Sequence, residues 1–541
     1  MPHEALKAKF DEKAIDAIFA GLDQCHLPGA AVGIAINGKP VYRKGFGLAN
    51  MELPLTLSPS TKLRIASTTK HFTCFAYVLL CEAGRARVDD PVAKYFPEMP
   101  SWAGRVTMRQ LMSNTSGLHD VYDIFNQFNE PYLHSAGAAQ RVSSVDLLSL
   151  YREMDDTNAP PNSNWIYNNG GWLLLSVAIE RITGQTLEQV LHECVFEPVG
   201  MFDTALLRSD TTFVPNRGSQ HVVNPAGGFE RMYWGVENFL GAGAVISTID
   251  DMLKWLKHMA SPSIGTAESW SLMLAPQRLT TGCEARYGFG LMIDNYRGAL
   301  TVHHAGNALG GNAQMLKVPS VGLDVVVLVN RQDVWGFELV KRVLDVCLEG
   351  LDPPPESCVR PSIAGIFRSP STNRVVELFD KEGQQWARMG VAELPMECAP
   401  DGALSYAQIW DENAVKIRPV GDNRTPDTIV LSEFGNDDEL RLEAAVSSAE
   451  TSAIVGRYRA QRSRIEAQIV VADGLCRLMT AGGVGAVTYE LKPIGERLWR
   501  TQFAGQSRIG FLGGVLCFAK DHGSFTFSSY LTRGFRFDRD S

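Results

Sequence analysis

Four residues, Ser67-Thr68-Thr69-Lys70, constrain this chain more than any other segment of its 541 residues. They precede an apolar run from His71 to Leu80, which predicts a buried helix beginning near Ser67. Residues three apart lie on one face of a helix, so the Ser67 hydroxyl and the Lys70 amine would be neighbours. A serine hydroxyl is a weak nucleophile until a base activates it, and a buried lysine with a lowered pKa can be that base. The segment therefore predicts a nucleophilic serine, although a helix cap beside a surface lysine is the alternative for an isolated motif.

Two later segments carry further side chains suited to acyl transfer. Tyr167-Asn168-Asn169 is the only Tyr-x-Asn in the sequence, and His304-Ala305-Gly306 is its only His-x-Gly. A tyrosine is normally too weak an acid to act as a base at neutral pH, but a nearby lysine ammonium favours the phenolate. We therefore predict that Lys70 and Tyr167 titrate and transfer protons as one unit. Alone, Tyr167 would more often be a core aromatic with an internally bonded hydroxyl.

Asn169 has two interpretations from the sequence. If the segment is extended, Asn169 projects to the same side as Tyr167 and can hydrogen-bond Lys70 or a substrate amide. Gly170 and Gly171 follow directly, so Asn169 could instead serve turn chemistry. Both interpretations stay open on these residues.

Taken in this order, the three segments resemble the motifs of the serine beta-lactamase and penicillin-binding-protein superfamily, in its class C, DD-peptidase and esterase branch. Two accessory stretches are similar to that branch: residues 106–118, which end in Thr-Ser-Gly-Leu, and residues 241–252, which contain Ser-Thr and end in Asp-Met. The resemblance covers about residues 14–350. It implies a catalytic domain in which helices are inserted between the strands of one antiparallel sheet.

The resemblance assigns roles to individual residues. Ser67 would attack a carbonyl and form an acyl-enzyme that water hydrolyses, and the backbone N–H groups of Ser67 and Asn307 would form the oxyanion hole. His304 stands where the penicillin-recognising enzymes have a lysine, so we expect it to face the substrate, although a lone histidine is usually a packed or surface residue. Gly306 would leave the backbone room beside the ligand.

Composition limits the classes of partner and compartment. The formal charge of −9, without a cluster of Lys and Arg, argues against a nucleic-acid partner. Residues 1–10 lack the apolar core of a signal peptide, and no segment reaches the length of a membrane span. The ten cysteines contain no Cys-x-x-Cys, which predicts free, buried thiols in a reducing compartment. We therefore predict a cytoplasmic protein without a membrane partner.

Hydrophobic periodicity predicts the secondary structure of the first part of the chain. Residues 4–24 have the pattern of an amphipathic helix, and Gly29 to Ala49 has the pattern of a β-hairpin with an Asn37-Gly38 turn. Helical patterns dominate from there to about residue 195. Later patterns predict strands at 287–293, 301–304 and 323–329 and a helix at 337–348.

The proline-rich stretch from Leu351 to Ser357 predicts a stiff linker and a domain boundary. Beyond it, residues 363–368 resemble residues 454–459, and each precedes alternating strand patterns. A repeat of that length predicts two similar small antiparallel barrels, although chance similarity between β-rich stretches is the alternative. We therefore predict an α+β chain of three domains: a class C beta-lactamase-like catalytic domain, with an antiparallel sheet and a helical region, at 1–350, and small β-barrel domains at 358–447 and 448–541.

This three-part layout is similar to that of the D-aminopeptidases, a group of the same superfamily that removes N-terminal D-residues from peptides, amides and esters. In related enzymes a loop from the last barrel narrows the active site, which places the corresponding loop here at about 503–512, around Arg508. The chain departs from the group at two points. Met292 stands where the D-aminopeptidases have an amide side chain, and a thioether accepts only weak hydrogen bonds. The loop carries Arg508 but no carboxylate that could bind a substrate amine.

Three functions remain open for a serine hydrolase of this kind. The first is an aminopeptidase for N-terminal D-residues, the second is an esterase, amidase or beta-lactamase-like hydrolase, and the third is a penicillin-binding sensor that acylates slowly. No metal or other cofactor is expected, because the sequence has no His-Glu-x-x-His, and His303 and His304 would lie on opposite faces of a strand. Small peptides, amides or esters are the expected substrates, and a homodimer is compatible with the sequence.

Overall fold

The structure, a computed structural model, describes residues 5–129, 143–154, 156–232, 239–354, 356, 362–406, 415–421, 426–434, 436–444, 446, 451–460, 463–482, 485–503 and 512–540. The elements up to Glu349 form the N-terminal domain, and two closed β-barrels follow it. This is the predicted α+β architecture. The predicted cut points at 358 and at 447–448 lie outside the described residues.

The main sheet of the N-terminal domain has six antiparallel strands, in the order Met292–Tyr296, Ala299–Ala308, Gly311–Val318, Leu323–Val329, Ala30–Ile36 and Lys39–Phe46. Asn37 and Gly38 both have positive φ, +51° and +70°, and form the predicted two-residue turn between the last two strands. The strand Gly311–Val318 has no counterpart among the predicted strands. Its buried positions include polar side chains, which hide the apolar pattern: Asn312, Gln314 and Lys317.

Helices cover the main sheet. Glu12–Phe19 and Gly336–Cys347 form one apolar core with the strands, and the helices that carry the candidate site share a second core with the opposite face. The other α-helices are Thr69–Glu82, Met108–Met112, Val121–Phe128, Ser144–Glu153, Gly170–Thr183, Leu187–Leu191, Glu197–Val199, Ile249–Ala260 and Ala267–Leu274. A π-helical turn spans His192–Phe196, and 3-10 turns lie at Ala20–Leu22, Ala66–Thr68, Val92–Lys94, Ser101–Gly104, Leu240–Ala242, Pro319–Val321 and Thr451–Ala453.

The first helix is shorter than the predicted span of 4–24. It covers Glu12–Phe19, and the Asp11 carboxylate at its start accepts a hydrogen bond from Ala14 N at 3.1 Å. Lys7–Ala8 is a strand that pairs with Leu348–Glu349. This pairing joins the two ends of the N-terminal domain. Hydrophobic periodicity is a local pattern, so it could not predict a pairing between strands so far apart in sequence.

Shorter strands pair around the main sheet. Leu63–Arg64, Val245–Ser247 and Ala205–Leu206 form a three-stranded sheet just before Ser67. The two-stranded pairs are Leu48–Asn50 with Leu55–Thr56, Gln220–Val223 with Phe229–Met232, and Gln277–Arg278 with Glu284–Ala285.

Each barrel closes from eight antiparallel strands. The strands of the first barrel are Gly365–Arg368, Val375–Lys381, Gln384–Met389, Ala392–Cys398, Leu404–Tyr406, Val415–Pro419, Thr428–Glu433 and Asn436–Leu442. The strands of the second barrel are Gly456–Ala460, Glu466–Ala472, Leu475–Gly482, Gly485–Gly495, Leu498–Phe503, Val515–Phe518, Ser524–Ser528 and Phe535–Arg539. The weak sequence repeat therefore marks the first strand of each barrel.

The cysteines differ in part from the prediction of free, buried thiols. Cys74, Cys347, Cys476 and Cys517 are free and buried, but Cys25 and Cys194 are exposed, and Cys398 is disulfide-bonded. Disulfides persist mainly in oxidising compartments, so Cys398 does not support a reducing environment, and the cytoplasmic location stays a prediction. Among the described residues, no helix has both the length and the apolar character that a membrane crossing requires.

Candidate active site

A strained turn presents Ser67. Ser67 lies in the 3-10 turn Ala66–Thr68, directly before the helix Thr69–Glu82, which we call the Lys70 helix. Ala66 has a φ of +46°, in the left-handed region that alanine rarely adopts. Strain of this kind persists where the surroundings hold it, and it is concentrated at functional sites.

The strand Ala299–Ala308 lies against this turn at Gly306. A Cβ on Gly306 would lie 2.0 Å from the Ile65 carbonyl oxygen, so only glycine allows the approach. Thr68 Oγ1 also donates to the His304 carbonyl oxygen at 3.4 Å. The close contact that the sequence predicts at Gly306 is therefore with the backbone before Ser67, and contact of Gly306 with a ligand stays a prediction.

Lys70 is fully buried beside Ser67. Its Nζ lies 2.9 Å from Ser67 Oγ, 2.9 Å from Asn169 Oδ1 and 2.7 Å from the Ala242 carbonyl oxygen. Burial lowers the pKa of Lys70 to about 7, although the Asp120 charge opposes this change. A lysine with this pKa is partly neutral at physiological pH and can accept the Ser67 proton.

Tyr167 lies next to both Lys70 and Ser67. Its ring centroid is 4.9 Å from Lys70 Nζ, and the ring is half-buried. Burial raises the pKa of Tyr167, and a hydrogen bond with Ser67 only partly offsets the increase. The loss of hydration therefore disfavours the phenolate, and Tyr167 keeps its proton at neutral pH. The joint titration of Lys70 and Tyr167 stays a prediction.

Asn169 is fixed by a carboxylate that sequence reasoning missed. Asp120 Oδ2 accepts from Asn169 N at 2.8 Å and from Asn169 Nδ2 at 3.1 Å, which turns Asn169 Oδ1 toward Lys70. Burial raises the pKa of Asp120 to about 6. Asp120 also caps the helix Val121–Phe128 through Tyr122 N. The signal in the sequence is an acidic residue two positions after the Thr-Ser-Gly-Leu stretch.

That stretch holds the Tyr-x-Asn segment by its backbone and amide groups. Asn114 accepts from Ile166 N at 2.9 Å through its carbonyl and from Asn168 N at 3.2 Å through its side chain. Asn168 Nδ2 donates to the Leu118 carbonyl at 2.6 Å. The accessory motif therefore positions Tyr167 and Asn169, the residues on either side of Asn168.

His304 is buried, and both of its ring nitrogens have partners. Nε2 lies 3.0 Å from the Tyr287 hydroxyl and Nδ1 lies 2.5 Å from the Ala305 carbonyl oxygen. Burial, together with the nearby Lys70 charge, lowers the pKa of His304 far below its usual value, so the ring is neutral. The structure thus brings His304 to the site with Tyr287 beside it, and direct contact with substrate stays a prediction.

A cavity of about 360 Å³ lies between all three parts of the chain. Tyr167 lines it, whereas Ser67 and Lys70 are not among its lining residues. Met292 lines it, whereas Asn307 is exposed at the end of its strand. The lining residues of the N-terminal domain include Trp165, Tyr167, Tyr287, Met292, Asp294, His303, Ala305 and Gln314. Those of the first barrel include Arg374, Met389, Gly390, Leu394, Glu433 and Phe434. Those of the second barrel are Val515, Ser528, Ser529, Tyr530, Leu531 and Arg533. Among the described residues, no group of three or more His, Cys, Asp or Glu side chains is arranged to hold a metal ion.

Comparison with known proteins agrees with this geometry. The beta-lactamase family model matches residues 14–345. The chain belongs to the beta-lactamase family. A D-aminopeptidase from Brucella melitensis is 26% identical over 484 residues, which are 87% of this chain and 87% of the relative.

Two solved structures show the same fold. The octameric penicillin-binding protein homologue from Pyrococcus abyssi has a TM-score of 0.57 at 18% identity and covers 98% of this chain and 100% of its own. A D-amino acid amidase from Ochrobactrum anthropi has a TM-score of 0.53 at 20% identity and covers 62% of this chain and 98% of its own. This beta-lactamase family member is D-aminopeptidase-like and is a serine hydrolase of this fold.

The loop predicted to narrow the site, at about 503–512, lies mostly outside the described residues, and so does Arg508. Its contact with the site stays a prediction. Among the described residues of the second barrel, the segment 528–533 between its last two strands reaches the cavity. The sequence shows only Tyr530 and Arg533 as a signal for this loop, an aromatic and a cation in a turn without an apolar pattern.

Proposed function

We propose that this member of the beta-lactamase family is an aminopeptidase that releases N-terminal D-residues from peptides, amides or esters through an acyl-enzyme on Ser67. The observation that carries the proposal is the 2.9 Å contact between Lys70 Nζ and Ser67 Oγ at the end of a strained turn. The similarity to a D-aminopeptidase over 87% of both chains supports the choice of substrate.

Lys70 and Tyr167 divide the proton transfers in this mechanism. Lys70, with a pKa of about 7, takes the Ser67 proton as Oγ bonds to the substrate carbonyl carbon. Tyr167 keeps its proton at neutral pH because burial raises its pKa, so it can donate to the leaving amine as the C–N bond breaks. Water then attacks the acyl-enzyme ester. Tyr167 takes back a proton from the attacking water, and Lys70 returns its proton to Ser67 Oγ as the ester bond breaks.

The negative charge that develops on the carbonyl oxygen needs donors fixed in advance. The N–H of Ser67 lies at the start of the Lys70 helix, where the helix dipole favours negative charge. The Asn307 N–H belongs to the strand that Gly306 brings against the same turn. We assign the oxyanion hole to these two groups.

The cavity supports a small substrate. It holds about 360 Å³ between the N-terminal domain and both barrels, which is within the range of small-molecule sites. Side chains from the barrels therefore limit the size of the group that can reach Tyr167. Bulky acyl donors such as penicillins would be poorly accommodated.

A second candidate is an esterase or amidase that does not require a substrate amine. Met292 favours it, because Met292 lines the cavity and its thioether is a poor acceptor for an ammonium group. In this case, acyl transfer at Ser67 is unchanged and only the preference for the acyl group differs.

The test compares D-alanine p-nitroanilide, L-alanine p-nitroanilide and p-nitrophenyl acetate, with Ser67→Ala as the control. Turnover of the D-anilide above the L-anilide, lost in Ser67→Ala, supports the aminopeptidase. Turnover of the acetate alone supports the esterase. A stoichiometric burst without turnover would identify a slowly acylated sensor, and full activity in Ser67→Ala would exclude Ser67 as the nucleophile.

A further inference from the structure

One helix joins the candidate active site to the second barrel. The helix Val121–Phe128, which we call the bridging helix, begins at Asp120, and Asp120 holds Asn169 against Lys70. Asp123, Gln127 and Phe128 meet the second barrel, which is more than three hundred residues away in sequence. The two ends of the bridging helix therefore serve different parts of the molecule.

Aromatic packing fixes the far end of the bridging helix. The Phe128 ring is fully buried, with its centroid 4.9, 5.5 and 5.2 Å from the rings of Phe527, Phe535 and Phe537 of the second barrel. Phe128 thus completes the core of the barrel. A core shared in this way leaves the helix little freedom to shift along its axis.

Hydrogen bonds fix the rotation of the same helix. Asp123 Oδ2 accepts from Ser529 Oγ at 2.5 Å and from Thr532 Oγ1 at 2.6 Å. Tyr489 donates its hydroxyl to the Gln127 carbonyl at 2.9 Å. Gln127, Tyr489 and Thr532 are buried, and Asp123 and Ser529 are partly buried. In such surroundings a hydrogen bond is stronger than in water.

Asp120 and Asp123 are three residues apart and so lie about one turn apart on the helix. A rotation or shift at Asp123 must therefore move Asp120, which binds both nitrogens of Asn169. Asn169 Oδ1 in turn accepts from Lys70 Nζ. Hydrogen bonds and the backbone of the bridging helix thus connect Thr532 of the second barrel to Lys70.

We propose that the second barrel is a working part of the active site, and that Asp123, through Ser529 and Thr532, is a positioning residue that keeps Asp120 on Asn169. The proposal rests on the proposed function only in taking Lys70 as the base that activates Ser67. It predicts that loss of the barrel contacts slows acylation while substrate binding in the cavity is retained.

The test uses the full chain and changes the barrel side of the contact. Thr532→Val removes the hydroxyl that binds Asp123 at nearly constant volume, and Thr532→Ser retains it; Thr532 does not line the cavity. Tyr489→Phe removes the bond to Gln127 and serves as the second variant if Thr532→Val does not fold. Arg464→Ala is the matched control, because Arg464 pairs with Glu153 across the same interface without touching the bridging helix.

The readouts are kcat and KM for p-nitrophenyl acetate and the rate of Ser67 labelling by a fluorophosphonate. We expect Thr532→Val and Tyr489→Phe to lower kcat and labelling by about tenfold or more with KM unchanged, since small misplacements of catalytic groups can cost up to about a hundredfold. Thr532→Ser and Arg464→Ala should stay close to the wild type.

Other results would contradict either the positioning role of Asp123 or the proposed function. A folded Thr532→Val or Tyr489→Phe protein with wild-type kcat, or a loss of kcat equalled by Arg464→Ala, overturns the positioning role. Variants with a lower melting temperature but a wild-type kcat would also overturn the positioning role, and the barrel would then serve only as structural support. Labelling that persists in Ser67→Ala would instead show that the proposed function is wrong, which separates the two failures.

Discussion

The two barrels have the same architecture but are joined to the N-terminal domain differently. The first barrel has a core of its own, and it meets the N-terminal domain near the site through Phe434, 4.7 Å from the Trp165 ring, and through Asn436, which donates to the Ser163 carbonyl at 3.1 Å. The second barrel shares one continuous core with the N-terminal domain through Phe128. The first barrel thus contacts the segment before Tyr167. The second barrel packs on the bridging helix, which begins at Asp120.

The difference shows that similar modules can act on one site by separate routes. A contact at the edge of a cavity changes which molecules enter it, whereas a shared core changes where catalytic groups lie. We therefore expect changes at the first barrel to act mainly on KM and changes at the second to act mainly on kcat and stability.

The largest expected effect is a loss of kcat, and it tests whether the proton-transfer groups all belong to the N-terminal domain. Lys70→Ala and Tyr167→Phe should each lower kcat about a hundredfold or more, since acid–base groups contribute roughly 10²–10⁴-fold. The double variant should be little worse than either single change, because residues that act as a unit are not additive. Costs that multiply in steady-state kinetics would show independent roles and leave room for a barrel residue in the chemistry.

The next largest effect compares one aromatic contact from each barrel. Phe128→Ala should lower the free energy of unfolding by about 3–5 kcal/mol, the usual cost of emptying a core phenylalanine site. Phe434→Ala should cost far less, because Phe434 is only half-buried, and should act mainly on KM. Urea unfolding and steady-state kinetics of both variants provide the measurement. Equal losses of stability would remove the distinction between the barrels.

The pH dependence tests whether the bridging helix acts on Lys70. Because Lys70 must be neutral to accept a proton, kcat/KM should rise about tenfold per pH unit below its pKa of about 7 and then level off. The Asp120 charge raises the pKa of Lys70, so Asp120→Asn should move the rise to lower pH. A pH profile of both proteins checks this, and an unchanged midpoint in the variant would show that Asp120 does not act on Lys70.

An ion-pair cluster links the two barrels and gives a smaller effect. Glu433 binds Arg374 at 2.6 and 2.8 Å and Arg533 of the second barrel at 3.0 Å. Burial alone would raise the pKa of Glu433, but the two arginines outweigh it and lower the pKa to about 2.

The charged Glu433 therefore stabilises the fold above its unfolded pKa, and this stabilisation is lost as the pH falls from about 4.5 toward 2. Glu433→Gln should cost on the order of 1–3 kcal/mol near neutral pH, with a difference from the wild type that shrinks on acidification. Urea unfolding across this pH range measures it. A constant difference would mean that the charge is not responsible.

The smallest expected effect concerns access to the cavity. Tyr530 of the second barrel lines the cavity and remains 41% exposed. Tyr530→Ala should widen the opening and raise acylation by penicillins relative to p-nitrophenyl acetate by about tenfold or less, the range for small changes in pocket fit. Tyr530→Phe is the matched control. An unchanged ratio in folded Tyr530→Ala would assign the exclusion of penicillins to another part of the cavity.

Local patterns were sufficient for the layout of one α+β domain followed by two barrels and for the pairing of Ser67 with Lys70. Ser67 and Lys70 are three residues apart, so helix geometry alone brings them together, and the structure places them 2.9 Å apart. The hairpin at Asn37-Gly38 and the two barrels follow from turn chemistry and from a repeat, which are also local signals. In each case the interacting residues are close in sequence or recur at a fixed interval.

The remaining features depend on residues that are distant in sequence. Asp120 meets Asn169 across 49 positions, and Thr532 meets Asp123 across 409, so no local pattern could pair them. The protonation of Tyr167 and of His304 also depends on burial, because desolvation depends on everything packed around a group. The identity of the proposed catalytic side chains can therefore be predicted from short motifs. Their protonation and positioning depend on the bridging helix and the barrels, which pack around them in the tertiary structure.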